Sequence, residues 1–193
     1  MKCTVSWLQQ FTSTEGFTPA QLADRLTMLG LEVDSVEELF TALDGIVTAR
    51  VVSVAKHPDA DKLSLCQVDT GAEQIQVVCG APNVRAGMIS ALARPGVQLP
   101  DGTKLKKAKV RGVESFGMLC SARELGLSTD HSGIMDLAAD LEPGLPLRQA
   151  LQLADAVIEV DLTPNRPDCA SVRGIARRFA ASRARPCSRW CPR

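Results

Sequence analysis

The chain has 193 residues, its 22 lysines and arginines balance 22 aspartates and glutamates, and 45% of its residues are hydrophobic. This composition supports a folded chain of one or two domains and excludes a nucleic-acid binder recognisable from bulk charge. No apolar run approaches the roughly 20 residues of a membrane helix, Gln9 and Gln10 interrupt the N-terminus before a signal-like stretch develops, and seven scattered cysteines without metal spacing fit a reducing cytoplasm.

The first forty residues read as a short strand, a helix and a second strand. The helix opens with Thr18 as N-cap and Pro19 at its first position, carries Leu22, Leu26 and Leu29 on one face, and stops at Gly30. Leu31-Glu32-Val33-Asp34-Ser35-Val36 then alternates with the period of a half-buried strand. From about Thr41 the pattern changes to strands separated by tight turns: Ile46 to Val54, Leu63 to Asp69 and Ile75 to Cys79, the last two joined through Gly71-Ala72. Turns at Pro95-Gly96 and Asp101-Gly102 precede a basic run and a strand ending near Cys120. About five short strands in this span predict a closed or nearly closed barrel, because closure removes exposed edges.

Ser121-Ala122-Arg123-Glu124 fits a capping box with Gly126 as stop, predicting one helical turn beside the barrel. Pro143, Gly144 and Pro146 mark a return connection. Val157 to Leu162 alternates as a further strand, Thr163-Pro164-Asn165-Arg166-Pro167 breaks it, and a helix follows with Val172, Ile175, Ala176 and Phe179 on one face. Neither end alone has enough apolar faces for a stable core. Helix and strand at both ends therefore suggest one small domain split by an inserted barrel.

Charge is distributed unevenly. Lys104, Lys106, Lys107, Lys109 and Arg111 form a run of five cations without an acid, and seven arginines without an acid lie between Cys169 and Arg193. A short charge run is usually a solvated face, but like charges this dense repel one another unless an anion arrives. Leu105 shares its strand side with Lys107, Lys109 and Arg111, which predicts a bulge or a late strand start near Lys106. Between Thr41 and Ala150 the only aromatic is Phe116. Base-stacking platforms, worth about 1–3 kcal/mol per base, are therefore scarce, and any RNA contact should run through phosphates and 2′-hydroxyls of a folded molecule.

Catalytic readings are weaker than structural ones. His57, Asp59 and Asp61 carry metal-binding groups, yet Pro58 forces a turn there, and Asp59 and Asp61 are expected to satisfy turn amides in Asx fashion. Cys66, Cys79 and Cys120 lie in apolar strands and read as buried, inert thiols; Cys187 and Cys191 have no neighbouring histidine. Neither a Gly-x-x-x-x-Gly-Lys phosphate loop nor a dinucleotide fingerprint is present.

The blocks His57-Pro58-Asp59-Ala60-Asp61-Lys62-Leu63, Val78-Cys79-Gly80-Ala81-Pro82-Asn83-Val84, Arg111-Gly112-Val113-Glu114-Ser115-Phe116-Gly117-Met118-Leu119-Cys120-Ser121 and Thr163-Pro164-Asn165-Arg166-Pro167-Asp168, in this order, resemble the N-terminal part of the bacterial phenylalanyl-tRNA synthetase beta-subunit family. The resemblance extends to about Ala176. It implies an α+β chain in which an OB-fold β-barrel of the tRNA-binding type, residues 39–148, is inserted into a small split α/β domain, residues 1–38 and 149–180, with 181–193 as an aberrant or disordered tail. It also implies that the family's patterned surface positions fall on His57, Lys62, Asn83, Arg111 and Ser121; local charge adds Lys104, Lys106, Lys107 and Lys109. The implied partners are tRNA, the synthetase alpha subunit and the remaining beta-subunit domains. ATP and magnesium serve the full enzyme, and this fragment is expected to hold no cofactor, no metal and no catalytic residue. A scaffold that packs against other synthetase domains without touching tRNA is the alternative.

Overall fold

A computed structural model describes residues 1–183 of the chain. In chain order the elements are β1 (Lys2–Thr4), α1 (Val5–Gln9), α2 (Pro19–Met28), β2 (Glu32–Glu38), β3 (Ile46–His57), β4 (Ala60–Asp69), β5 (Gln74–Cys79), β6 (Ile89–Ala93), β7 (Ala108–Val110), β8 (Val113–Ser115), β9 (Met118–Leu119), α3 (Leu147–Ala150), β10 (Ala156–Asp161) and α4 (Val172–Ser182). They divide into two compact units, one of Met1–Leu39 with the described residues from Ala154 onward, the other of Phe40–Leu153.

The first unit is a three-stranded antiparallel sheet in the order β1-β10-β2 with helices packed on it. Thr18 caps α2 reciprocally: its Oγ1 accepts from the Gln21 amide at 3.2 Å, while Gln21 Oε1 accepts from the Thr18 amide at 2.9 Å. This satisfies two amides that the first turn would otherwise leave open. Leu22, Leu26, Leu31, Ile158, Ile175 and Phe179 are fully or almost fully buried in one core, each contributing on the order of 1.5–3 kcal/mol. The breaking block before α4 has a structural task. Arg166 donates to both carboxylate oxygens of Asp168, at 3.0 and 3.2 Å, and to the Gly30 carbonyl at 3.3 Å, tying the α2 stop to the α4 start. Helix α1, capped by Thr4, is an element that the sequence pattern does not predict. It spans only five residues, too few to show a helical repeat.

The second unit is built on a five-stranded antiparallel sheet, β5-β4-β3-β6-β9, with β7 and β8 as a separate hairpin. Strand pairing thus leaves the sheet open, where the sequence predicts a closed or nearly closed barrel. The reason lies in the segment after β8. Between the two margins the chain turns a corner at Ser115-Phe116-Gly117, and single hydrogen bonds replace a ladder: the Phe116 amide donates to the Gln76 carbonyl at 2.9 Å, and Ser115 Oγ accepts from the Val78 amide at 3.1 Å while donating to the Gly117 carbonyl at 2.8 Å. A Cβ on Gly117 would meet the Ala93 carbonyl at 3.0 Å, so the corner needs glycine. Strand β7 begins at Ala108. That late start resolves the mixed parity of the basic run.

The return connection is stitched to β3 by Thr48, whose hydroxyl donates to the Glu142 carbonyl at 2.7 Å and accepts from the Leu145 amide at 3.0 Å. Ser121 and Glu124 form the predicted capping box around a turn rather than a helix. From residue 184 onward the expected tail, with Cys187 and Cys191, lies outside the described residues.

Candidate nucleic-acid interface

The basic run and the predicted site residues fall into two groups within the second unit. The first surrounds the β7–β8 hairpin. Val110 pairs with Val113, leaving Arg111 and Gly112 as a two-residue turn, both at positive φ, 45° and 87°. That is the pattern of a type I′ turn, whose twist matches antiparallel strands. An arginine in the left-handed region costs roughly 1–2 kcal/mol more than a glycine there, so the turn carries its cation at a conformational cost. Lys104, Lys106, Lys107, Lys109 and Arg111 are all exposed. Lys109 lies opposite Glu114 in the hairpin register, and Lys107 Nζ sits 5.1 Å from the ring centroid of Phe116. The single aromatic between Thr41 and Ala150 thus already has a cation over one face, which leaves less open π surface for a stacked base.

His57 differs from its neighbours because it is only 4% exposed. Its Nδ1 accepts from the Asp59 amide at 3.1 Å, so the proton resides on Nε2, which donates to the Val110 carbonyl at 3.2 Å. The β3–β4 turn is therefore closed by the imidazole, not by the side chains of Asp59 and Asp61 as the Asx pattern predicts. Both ring nitrogens are occupied. Lys62, five positions further on along the same hairpin, is exposed.

The second group lines a groove of about 760 Å³ between the Cys79-Gly80-Ala81-Pro82 loop, the Ser121–Glu124 turn and residues 131–134. Ser121 is 8% exposed, its amide and hydroxyl both engaged by Glu124 Oε2 at 2.7 and 2.9 Å. Those groups are consumed by the capping box and are not presented to an anion. Asn83 turns its carboxamide onto the main chain of Ile134. Arg123 and His131, which the sequence reading does not single out as site residues, are on the groove wall. The signal that could have found them is their position after the capping-box serine and before the glycine that packs on Asn83.

The thiols of this unit are held protonated. Burial, reinforced by the nearby Glu124 carboxylate, pushes Cys120 up to about 12, and burial with Cys79 alongside pushes Cys66 up to about 11. Nucleophilic use of either would require the opposite shift.

Residues 46–146 match the family described as "Putative tRNA binding domain". Over 186 residues the chain is 56% identical to the phenylalanine--tRNA ligase beta subunit of Desulfotalea psychrophila, covering 96% of this chain and 23% of that protein. The corresponding protein of Syntrophotalea carbinolica is 56% identical over 181 residues, with 94% and 22% covered. The chain therefore spans less than a quarter of the length of these curated relatives. Among solved structures, a MetRS related protein from Pyrococcus horikoshii aligns with a TM-score of 0.39 and 22% identity, over 52% of this chain and 85% of that one.

Proposed function

The chain belongs to the tRNA-binding domain family through residues 46–146 and matches phenylalanine--tRNA ligase beta subunits over almost all of its length, and from that premise we propose that it docks the sugar-phosphate surface of a folded tRNA through its basic hairpin. What supports this reading is that Lys104, Lys106, Lys107, Lys109 and Arg111, all inside the matched segment, are exposed, and that Lys107 lies over the ring of Phe116. Cations without free aromatic faces suit phosphates and 2′-hydroxyls better than bases. Lys62, exposed on the β3–β4 hairpin whose His57 reaches the Val110 carbonyl, is included in this reading.

We further assign residues 39–148, which make up most of the second unit, to an OB-fold barrel with its margins tied at the Ser115–Gly117 corner, inserted between the halves 1–38 and 149–180 of a split domain. In the assembled ligase the synthetase alpha subunit and the remaining beta-subunit domains are its protein partners. ATP and magnesium belong to the aminoacylation chemistry of the alpha subunit, and no chemical step is routed through this chain. The cytoplasm is its compartment. Asn83 and Ser121 shape the groove and do not contact phosphate directly.

A titration with tRNA at two salt concentrations tests the reading. Three phosphate contacts give a slope of log affinity against log salt of about −2 to −3, and five give roughly −3.5 to −4.5. Replacing Lys106, Lys107 and Lys109 by alanine should weaken binding and flatten that slope. Absence of saturable binding would favour a scaffold that only packs against other domains.

A further inference from the structure

The β7–β8 hairpin is short, three residues in each strand, and a two-stranded hairpin of this size is not stable alone in water. Its base is fixed. Gln76 Nε2 donates to the Glu114 carbonyl at 2.9 Å, and Ser115 and Phe116 hydrogen-bond to β5. The tip is different. Among the described residues, the segment Val110-Arg111-Gly112-Val113 makes one hydrogen bond outside its own hairpin, from His57 Nε2–H to the Val110 carbonyl. That bond comes from a ring whose orientation is set by the Asp59 amide on Nδ1 and whose body is buried.

We propose that His57 is a positioning residue for tRNA: a latch from the β3–β4 turn that holds the tip of the basic hairpin, so that Lys107, Lys109 and Arg111 engage phosphates together. It does not touch RNA itself. The inference rests on the tRNA-docking reading above and adds the device that makes its cations act as a set. Without the latch the tip, which already holds Arg111 at a φ of 45°, keeps no hydrogen bond outside its own two-stranded pairing. The cations then meet phosphates singly.

The distinguishing readout is the salt slope, because the His57 ring in this tautomer carries no charge. Loss of a direct neutral contact would lower affinity and leave the slope unchanged. Loss of a latch should flatten the slope by about 1–2, with affinity at moderate salt falling roughly tenfold. His57→Phe keeps the ring and removes both hydrogen bonds; His57→Gln retains a donor and an acceptor. The experiment measures tRNA affinity at several salt concentrations and amide hydrogen exchange across residues 106–116, for both variants and for Lys107→Ala/Lys109→Ala/Arg111→Ala with and without His57→Phe. Expected results are faster exchange and a flatter slope in His57→Phe, partial recovery of both in His57→Gln, and no further loss of affinity when His57→Phe is added to the triple variant. An unchanged slope, or an additive loss in the triple background, overturns the latch. If the wild-type chain does not bind tRNA, the docking reading fails and this role with it, whereas binding with unaltered hairpin exchange in His57→Phe refutes the latch alone.

Discussion

Asn83 and Ile134 are joined by a pair of hydrogen bonds, Asn83 Nδ2–H donating to the Ile134 carbonyl at 2.8 Å and Asn83 Oδ1 accepting from the Ile134 amide at 3.0 Å. The carboxamide thus completes both main-chain groups of one residue, much as a neighbouring strand would. It also packs on Gly133, where an added Cβ would lie 2.4 Å from Asn83 Oδ1. The chain just after the Cys79–Pro82 loop is in this way fastened to residues 133 and 134 of the groove lining.

Asn83→Ala should therefore act on the groove before it acts on RNA. Two hydrogen bonds worth about 0.5–1.5 kcal/mol each are lost, so the second unit should lose roughly 1–3 kcal/mol in denaturant unfolding. Amides of residues 130–135 should exchange faster. The salt slope of tRNA binding should stay as it is, because no charge is removed; a flattened slope would place Asn83 among the phosphate contacts.

What was legible in the sequence follows from what leaves a periodic or stereochemical mark. The Thr18-Pro19 start and Gly30 stop of α2, the strands of the second unit and the Ser121–Glu124 box are local, and each appears in the structure; the half-buried alternation expected of Leu31 to Val36 does not, because the register shifts opposite β2 between Glu159 and Val160 and Val36 is left 37% exposed. The Arg111-Gly112 turn leaves no such mark, because arginine stands where asparagine or aspartate usually announces a type I′ hairpin. His57, Asn83 and Ser121 were identifiable as residues, but their direction was not. Polar side chains in turns read as surface, and only the fold shows that their polar atoms point inward to Val110, Ile134 and Glu124.

Arg111→Asn separates stability from binding. Asparagine tolerates the left-handed region better than arginine, so the hairpin should gain about 0.5–1 kcal/mol. One phosphate-seeking cation is lost at the same time, which should reduce the salt slope by about 1. Thermal unfolding and tRNA titration on the same variant should thus move in opposite directions; a parallel loss in both would show that Arg111 stabilises the folded tip.

Gly144 and Gly87 have similar backbone angles, φ of 90° and 84°, in different surroundings. A Cβ on Gly144 would lie 2.6 Å from the Thr70 carbonyl, whereas Gly87 has nothing within 4 Å. Gly87→Ala should cost only the left-handed conformation, about 1–2 kcal/mol. Gly144→Ala should cost a further 1–3 kcal/mol or so, because the return connection must move away from the β4–β5 turn. Equal losses in chemical denaturation would mean that this connection yields freely.

The raised thiols fix the sign of the alkaline response. Cys66 and Cys120 move from an ordinary value of 9.0 to about 11 and about 12 in the folded chain, so the native state resists ionisation that the unfolded state accepts. Below pH 9 neither state is ionised at these thiols and their contribution is fully present. As pH rises past 9 the unfolded chain loses protons first, and stability should decline until the folded values are reached. With Cys187 and Cys191 replaced by serine, a disulfide reagent at pH 8 should leave both thiols unmodified until denaturant is added. The free energy of unfolding, measured at one temperature, should then fall more steeply between pH 9 and 11 than in a Cys66→Ala/Cys120→Ala variant. Rapid native labelling at pH 8, or identical alkaline slopes, would contradict the burial that sets these values.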